Sequence, residues 1–250
     1  MTTTEVLTEN TLGGLKVQPV SERPQVVNML VYGDPGVGKT VLAGSASEVE
    51  AMSPVLFIDV EGGTMSLRNK YPQVDVVRVA SWSDMTSVYN DIASSADSYK
   101  TIVLDSLTEI QKFSMYNIMR DLVAGDPDRD PDVPGIREWG KNSEQIRRFV
   151  RAFRDLSVNT IFTALSATDK DQKTGATLSR PYLSGKLASE VAGFLDIVCY
   201  MYIRVVEGDV RRLMLTSGTD SCVAKDRSDS LPPILEEPDM ETIHNIVTGA

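Results

Sequence analysis

A chain of 250 residues, 42% apolar and 24% charged, can bury one substantial core, so a single domain is the starting expectation. Its formal charge of −10 excludes bulk attraction to duplex DNA or to an anionic membrane and confines any nucleic-acid contact to local patches. Cys199 and Cys222 lie far apart without CxxC spacing and His244 is the lone histidine, which argues against a disulfide framework or a zinc site and fits a reducing cytoplasm.

From the start to about residue 24 the chain is polar and turn-forming, and reads as a flexible tail or an arm that orders on a neighbour; the core is expected over 25–250. The opening residues show no basic segment followed by an apolar one. No run reaches the roughly 18 apolar residues needed to span a bilayer, so the expectation is a cytoplasmic protein without a membrane partner. From Gln25 onward, β-branched runs alternate with helical patterns: "VVNMLVY", a helix from Lys39, "VLFIDV", "VDVVRV", a helix in "SDMTSVYNDIA", "TIVLDS", two further helices, and "TIFTAL". Runs apolar on both faces and separated by helices predict an α/β fold with a mainly parallel sheet covered on both sides. After Leu187, two strand-like runs around "EGD" signal an antiparallel hairpin.

The stretch "GDPGVGKT" lies between the first strand and the first helix, the context in which a glycine-rich loop cradles phosphates. Gly33, Gly36 and Gly38 allow the backbone amides to face inward, with Asp34, Pro35, Val37 and Val41 completing the loop. Lys39 sets a cation on the β- and γ-phosphates, and Thr40 offers a hydroxyl to Mg²⁺. In "TIVLDS", Asp105 stands at the carboxyl end of a strand, the edge at which α/β sheets bind ligands, and is expected to support the same metal. In "VLFIDVEGG", Glu61 follows the strand after the phosphate loop, where a carboxylate can polarise the water that attacks a γ-phosphate.

The order of "VLFIDVE", "IVLDS" and "YLSGKLASEVAGFLDIV" resembles that of RecA-like recombinase ATPases, and the chain looks closest to the core-only, phage-encoded Sak-type (Sak-four) single-strand annealing or recombination ATPases, in which a segment similar to "VAKDRSDSLPP" is also typical. The resemblance covers about residues 25–240. It implies a RecA-like P-loop fold, ATP and Mg²⁺ as cofactors, Glu61 as catalytic base, and a ring or filament of identical subunits in a phage-infected bacterial cytoplasm. It further implies that Lys225 and Arg227 enter a neighbour's ATP site, and that the loop at about 166–185 grips single-stranded DNA. There Lys170, Lys173, Arg180 and Lys186 would contact phosphates, while Tyr182 would stack on a base or support the loop from inside. A single-strand-binding protein is a further expected partner. One departure stands out: where such ATPases carry a polar sensor such as glutamine after the strand matching "TIFTAL", this chain has Leu165 and Ser166.

Two other readings remain open on sequence alone. The acidic balance suits a nucleotide-switched adaptor that binds replication or recombination proteins and hydrolyses ATP slowly. A small-molecule kinase is the other, but it would leave Glu61 without a purpose. The four arginines of "RRFVRAFR" line one side of a helix whose other side is apolar, a pattern that ordinarily marks a solvated face, and the aspartates at 126–132 lack the spacing of a calcium loop.

Overall fold

The computed structural model describes residues 11–22, 25–95, 98–170 and 175–249. It begins with a small hairpin of β1 (Thr11–Leu12) and β2 (Leu15–Lys16), followed by a 3₁₀ turn at Val20–Glu22. The core then runs β3 (Asn28–Gly33), α1 (Lys39–Gly44), β4 (Val55–Asp59), β5 (Asp75–Arg78), α2 (Trp82–Ser94), β6 (Thr101–Asp105), α3 (Leu107–Gly125) and α4 (Ile136–Arg154). It continues with β7 (Asn159–Lys170), β8 (Thr177–Pro181), α5 (Leu187–Phe194), β9 (Ile197–Val206), β10 (Asp209–Leu215), β11 (Lys225–Asp226), β12 (Ile234–Glu236) and α6 (Met240–Thr248).

The main sheet has the order β12-β10-β9-β3-β7-β6-β4-β5, with β11 paired to β9 and β8 to β7. From β9 to β5 every pairing is parallel, and the antiparallel pairings lie at the β10–β12 margin and in the two appended strands. Period-two alternation divides each central strand between two cores. Leu30, Tyr32, Leu56, Ile58, Ile102 and Leu104 pack with α2, α3, α4 and α5 on one face. Met29, Val31, Val55, Phe57 and Val103 pack with α1 and α6 on the other. This is the two-sided covering that the apolar runs predict.

Two local readings are corrected. The helix expected from Lys39, through "VLAGSASEVE", is shorter than that apolar pattern suggests: α1 ends at Gly44 and a 3₁₀ turn covers Ser45–Glu48. A side chain on Gly44 would come within 2.6 Å of Leu67 and 2.7 Å of Tyr71, and the hydroxyls of Ser45 and Ser47 donate to backbone carbonyls of the preceding turn, which competes with helical continuation. The connection expected as a loop at 166–185 is largely strand: β7 runs on to Lys170 and pairs with β8 from Ser166↔Pro181 to Lys170↔Thr177. The N-terminal segment, expected as a flexible tail or an arm, carries the β1–β2 hairpin in its described part. At the other end, the "EGD" turn is a two-residue connection with Glu207 and Gly208 both at positive φ, as tight hairpins require. Among the described residues, no helix is long and apolar enough to cross a membrane.

Candidate active site

The phosphate loop leaves β3 at Gly33 and enters α1 at Lys39. Gly33 is obligatory for packing, because a Cβ there would lie 2.2 Å from the Met201 carbonyl oxygen on β9. Gly36 and Gly38 have φ of 81° and 107°, a region that favours glycine, so the loop turns inward at both positions. Lys39 is buried, and its Nζ donates to the carbonyls of Gly33 and Asp34, each at 2.9 Å. Burial lowers its pKa, against the opposing pull of the Asp105, Glu61 and Asp34 carboxylates.

Thr40 Oγ1 donates to Asp105 Oδ2 at 2.7 Å, while Thr163 Oγ1 donates to the other Asp105 oxygen. The hydroxyl and carboxylate that the sequence assigns to one metal therefore meet across α1 and β6. Hard oxygen donors of this kind are what Mg²⁺ takes, so the residues fit that ion. Glu61 sits in the turn after β4, where Ser106 Oγ donates to its Oε1. Together with Gly36, Gly38, Lys39, Thr40 and Asp105 it lines one cleft of about 770 Å³, which also includes Ser45, Lys70, Tyr71, Arg212 and Glu237.

Sequence reasoning missed the groups that shape this cleft. Asp59, 3% exposed, accepts from the amides of Gly62 at 2.6 Å and Gly63 at 3.3 Å and from Thr64 Oγ1 at 3.2 Å, and pairs with Arg78 at 3.1 Å. These bonds fix the turn that carries Glu61. Arg212 projects from β10 against Gly38, and Tyr71 lines the wall of the cleft beyond α1. Neither stands at a fixed spacing from the phosphate loop; only the pairing of β10 with β9 and the packing of Tyr71 on Gly44 bring them there.

The remaining expected residues lie outside the cleft. Lys225 opens β11 and Arg227 follows it, beside the start of β9; Arg227 pairs with Asp196 at 2.9 Å and donates to the Gly193 carbonyl at 2.7 Å, to which Lys225 Nζ also reaches at 3.5 Å. Burial and the neighbouring Arg227 lower the Lys225 pKa, against the pull of Asp196. Arg180 forms an ion pair with Asp169 across the β7–β8 hairpin and donates to the Leu183 carbonyl at 2.8 Å, so it braces the hairpin from within. Lys170 and Lys186 are exposed at either side of that hairpin, and Lys173 lies outside the described residues. Ser166, in the position of the expected sensor, donates to Asp34 Oδ1 and thereby ties the hairpin's base to the phosphate loop. The α4 arginines are engaged locally: Arg147 pairs with Glu144 and Glu190, Arg148 with Glu144 and Arg154 with Asp155, and Arg151 lies 4.2 Å from the Phe194 ring centroid.

Residues 26–228 match a protein family described as the AAA domain. The chain belongs to the AAA-domain family. That match spans the phosphate loop, Glu61, Asp105 and the strands between them, and this AAA-domain chain is a P-loop ATPase with an α/β fold built on a mainly parallel sheet. Among solved structures, a KaiC-like protein from the hyperthermophilic archaeon Pyrococcus horikoshii is similar, with a TM-score of 0.45 and 15% identity over 76% of this chain and 77% of that one. No curated protein matches the AAA-domain chain in sequence.

Proposed function

We propose that the chain is an oligomeric, Mg²⁺-dependent ATPase that handles single-stranded DNA in phage recombination or strand annealing, and that it hydrolyses ATP at contacts between subunits. The observation that carries this reading is the β7–β8 hairpin, which rises from the strand beside the phosphate loop and is bonded to it through Ser166 and Asp34. A polar arm with exposed Lys170 at its side and Lys186 near its base suits a nucleic-acid backbone, and its root lies where a change at the γ-phosphate would be felt.

In this scheme Lys39 exchanges the Gly33 and Asp34 carbonyls for phosphate oxygens, and the loop amides that surround it hold the remaining charge. Thr40 and Asp105 would hold Mg²⁺, which when bound neutralises charge on the β- and γ-phosphoryl oxygens. Ser106 holds the Glu61 carboxylate over the same cleft, where it orients the attacking water and takes its proton. Lys225 and Arg227, lying outside their own cleft, act on a neighbour's. Exposed apolar residues on the N-terminal hairpin, Leu12 and Leu15, and Val20 just after it, support the expectation that this arm docks on a neighbour.

Turnover that rises with single-stranded DNA, and that falls at least about a hundredfold in Glu61→Gln while nucleotide binding survives, is the expected result. Unchanged turnover in Glu61→Gln would remove the base assignment. The acidic pI of about 4.7 favours an adaptor as the second reading. Oligonucleotide binding measured at several salt concentrations separates the two: phosphate contacts impose a salt slope, whereas an adaptor gives no binding on which to measure one.

A further inference from the structure

Besides Lys39, two further cations, Lys70 and Arg212, line the cleft. Arg212 lies on β10, two strands from the phosphate-loop strand, yet a Cβ added to Gly38 would stand 3.2 Å from its Nε and 3.3 Å from its Cδ. Gly38 is the residue immediately before Lys39, at the point where the loop amides converge, so the guanidinium stem runs along the rim of the phosphate cradle. The only carboxylate within ion-pair distance of Arg212 among the described residues is Glu237, at 3.9 Å, beyond hydrogen-bond length, with both side chains about half exposed. Glu237 is itself held by the backbone: its Oε1 accepts from the Arg212 amide at 2.8 Å, and its own amide donates to the Arg212 carbonyl at 2.8 Å.

We infer that Arg212 is a phosphate-binding residue acting in its own subunit, held at the cleft mouth by Glu237 and transferring its guanidinium to the terminal phosphates when ATP binds. The inference rests on the reading of this cleft as the ATP site. A guanidinium suits the role because its forked donors match paired phosphate oxygens, whereas an exposed pairing at 3.9 Å to Glu237 is weak enough to exchange. The position also matters to the chain's geometry. Arg212 belongs to the β9–β10 hairpin, and Met201 on β9, whose register partner is Met214 on β10, carries the carbonyl on which Gly33 packs. Drawing the guanidinium onto the triphosphate therefore ties the antiparallel margin of the sheet to the state of the nucleotide. Discrimination between ATP and ADP follows, because a group that reaches the terminal phosphate loses its partner when that phosphate leaves.

Equilibrium binding of fluorescent ATP and ADP analogues tests this without relying on turnover. Arg212→Ala should weaken ATP binding by about ten- to hundredfold, the range for a charge-assisted contact, with a much smaller loss for ADP. Arg212→Lys should recover part of the ATP affinity. Glu237→Gln keeps the oxygen that accepts from the Arg212 amide but removes the competing charge, so it should tighten ATP binding. If Arg212→Ala binds ATP as the wild type does, or loses ATP and ADP equally, the inference fails. Lys39→Ala is measured alongside: loss of binding there together with an unaffected Arg212→Ala overturns this inference alone, whereas an unaffected Lys39→Ala overturns the reading of the cleft. Should Arg212→Ala fold poorly by its thermal transition, the Glu237→Gln result decides, since wild-type affinity in that variant contradicts the proposed exchange.

Discussion

Asp59 carries no chemistry of its own, yet the turn that presents Glu61 depends on it. Its carboxylate satisfies the Gly62 and Gly63 amides and balances Arg78, and a side chain on Gly62 would itself come within 2.7 Å of the Arg78 guanidinium. Replacing Asp59 with alanine leaves these groups unpaired, at a cost of about 1–3 kcal/mol in urea unfolding, and should lower kcat while nucleotide affinity is kept. Glu61 was legible because it follows a strand at a recognisable distance from the phosphate loop; Asp59 was not, since an aspartate ending a strand usually marks no more than a turn. Lys39 gives a prediction with a sign. Its folded pKa lies below the ordinary 10.5 through burial, so between the two values the unfolded chain binds more protons and stability rises with pH. Below that window the buried charge lowers stability by a constant amount. The stability of the wild type relative to Lys39→Met should therefore increase as pH is raised from neutrality toward about 10, read from paired denaturation curves.

Among elements, the central strands could be read directly from the sequence because burial on both faces demands unbroken apolar runs, and a five-residue glycine-rich link between strand and helix admits few conformations. The β7–β8 hairpin could not. Its residues are mostly polar and carry no apolar alternation, and its pairing rests on the β7–β8 register and on the Arg180–Asp169 bridge. The segment "VAKDRSDSLPP" shows a similar limit. Its lysine and arginine are conspicuous, but the aspartate between them builds the element: Asp226 accepts from the amides of Ser228, Ser230 and Leu231 at 2.8, 3.0 and 2.9 Å. Burial raises the Asp226 pKa, but these bonds outweigh it and hold the carboxyl below its usual range. The stability it contributes is thus present above the unfolded pKa of about 4 and is lost as pH falls through the lower native value. Asp226→Ala should cost about 1–2 kcal/mol at neutral pH, and the difference from wild type should shrink on acidification below pH ~4, as urea midpoints over a pH series would record.

At the scale of the whole molecule, the location of the basic pair constrains how hydrolysis can work. β11 pairs with the beginning of β9, at Val198 and Ile197, whereas the phosphate loop leaves the carboxyl end of β3, which runs parallel to β9. Lys225 and Arg227 therefore lie part-way down the sheet from the phosphate loop of their own chain, since β11 stands level with Met29 and Leu30 of β3 rather than with Gly33. If these cations contribute to hydrolysis, they must reach the phosphates of a different copy, and each complete site then combines a phosphate loop from one chain with a basic pair from the next. That arrangement makes two inactive proteins complementary. A Lys39→Ala subunit keeps its basic pair, a Lys225→Ala/Arg227→Ala subunit keeps its phosphate loop, and a contact between them in the right order restores one intact site. Mixing the two should recover an ATPase rate that peaks near equal proportions and approaches a quarter of the wild-type rate for random assembly, because half of the phosphate loops are intact and half of those face an intact pair. The recovery should disappear on dilution below the assembly concentration. A mixture that stays as inactive as its parts, while sedimentation shows that the subunits have co-assembled, would restrict catalysis to the single chain and return Lys225 and Arg227 to their local bonds with Gly193 and Asp196.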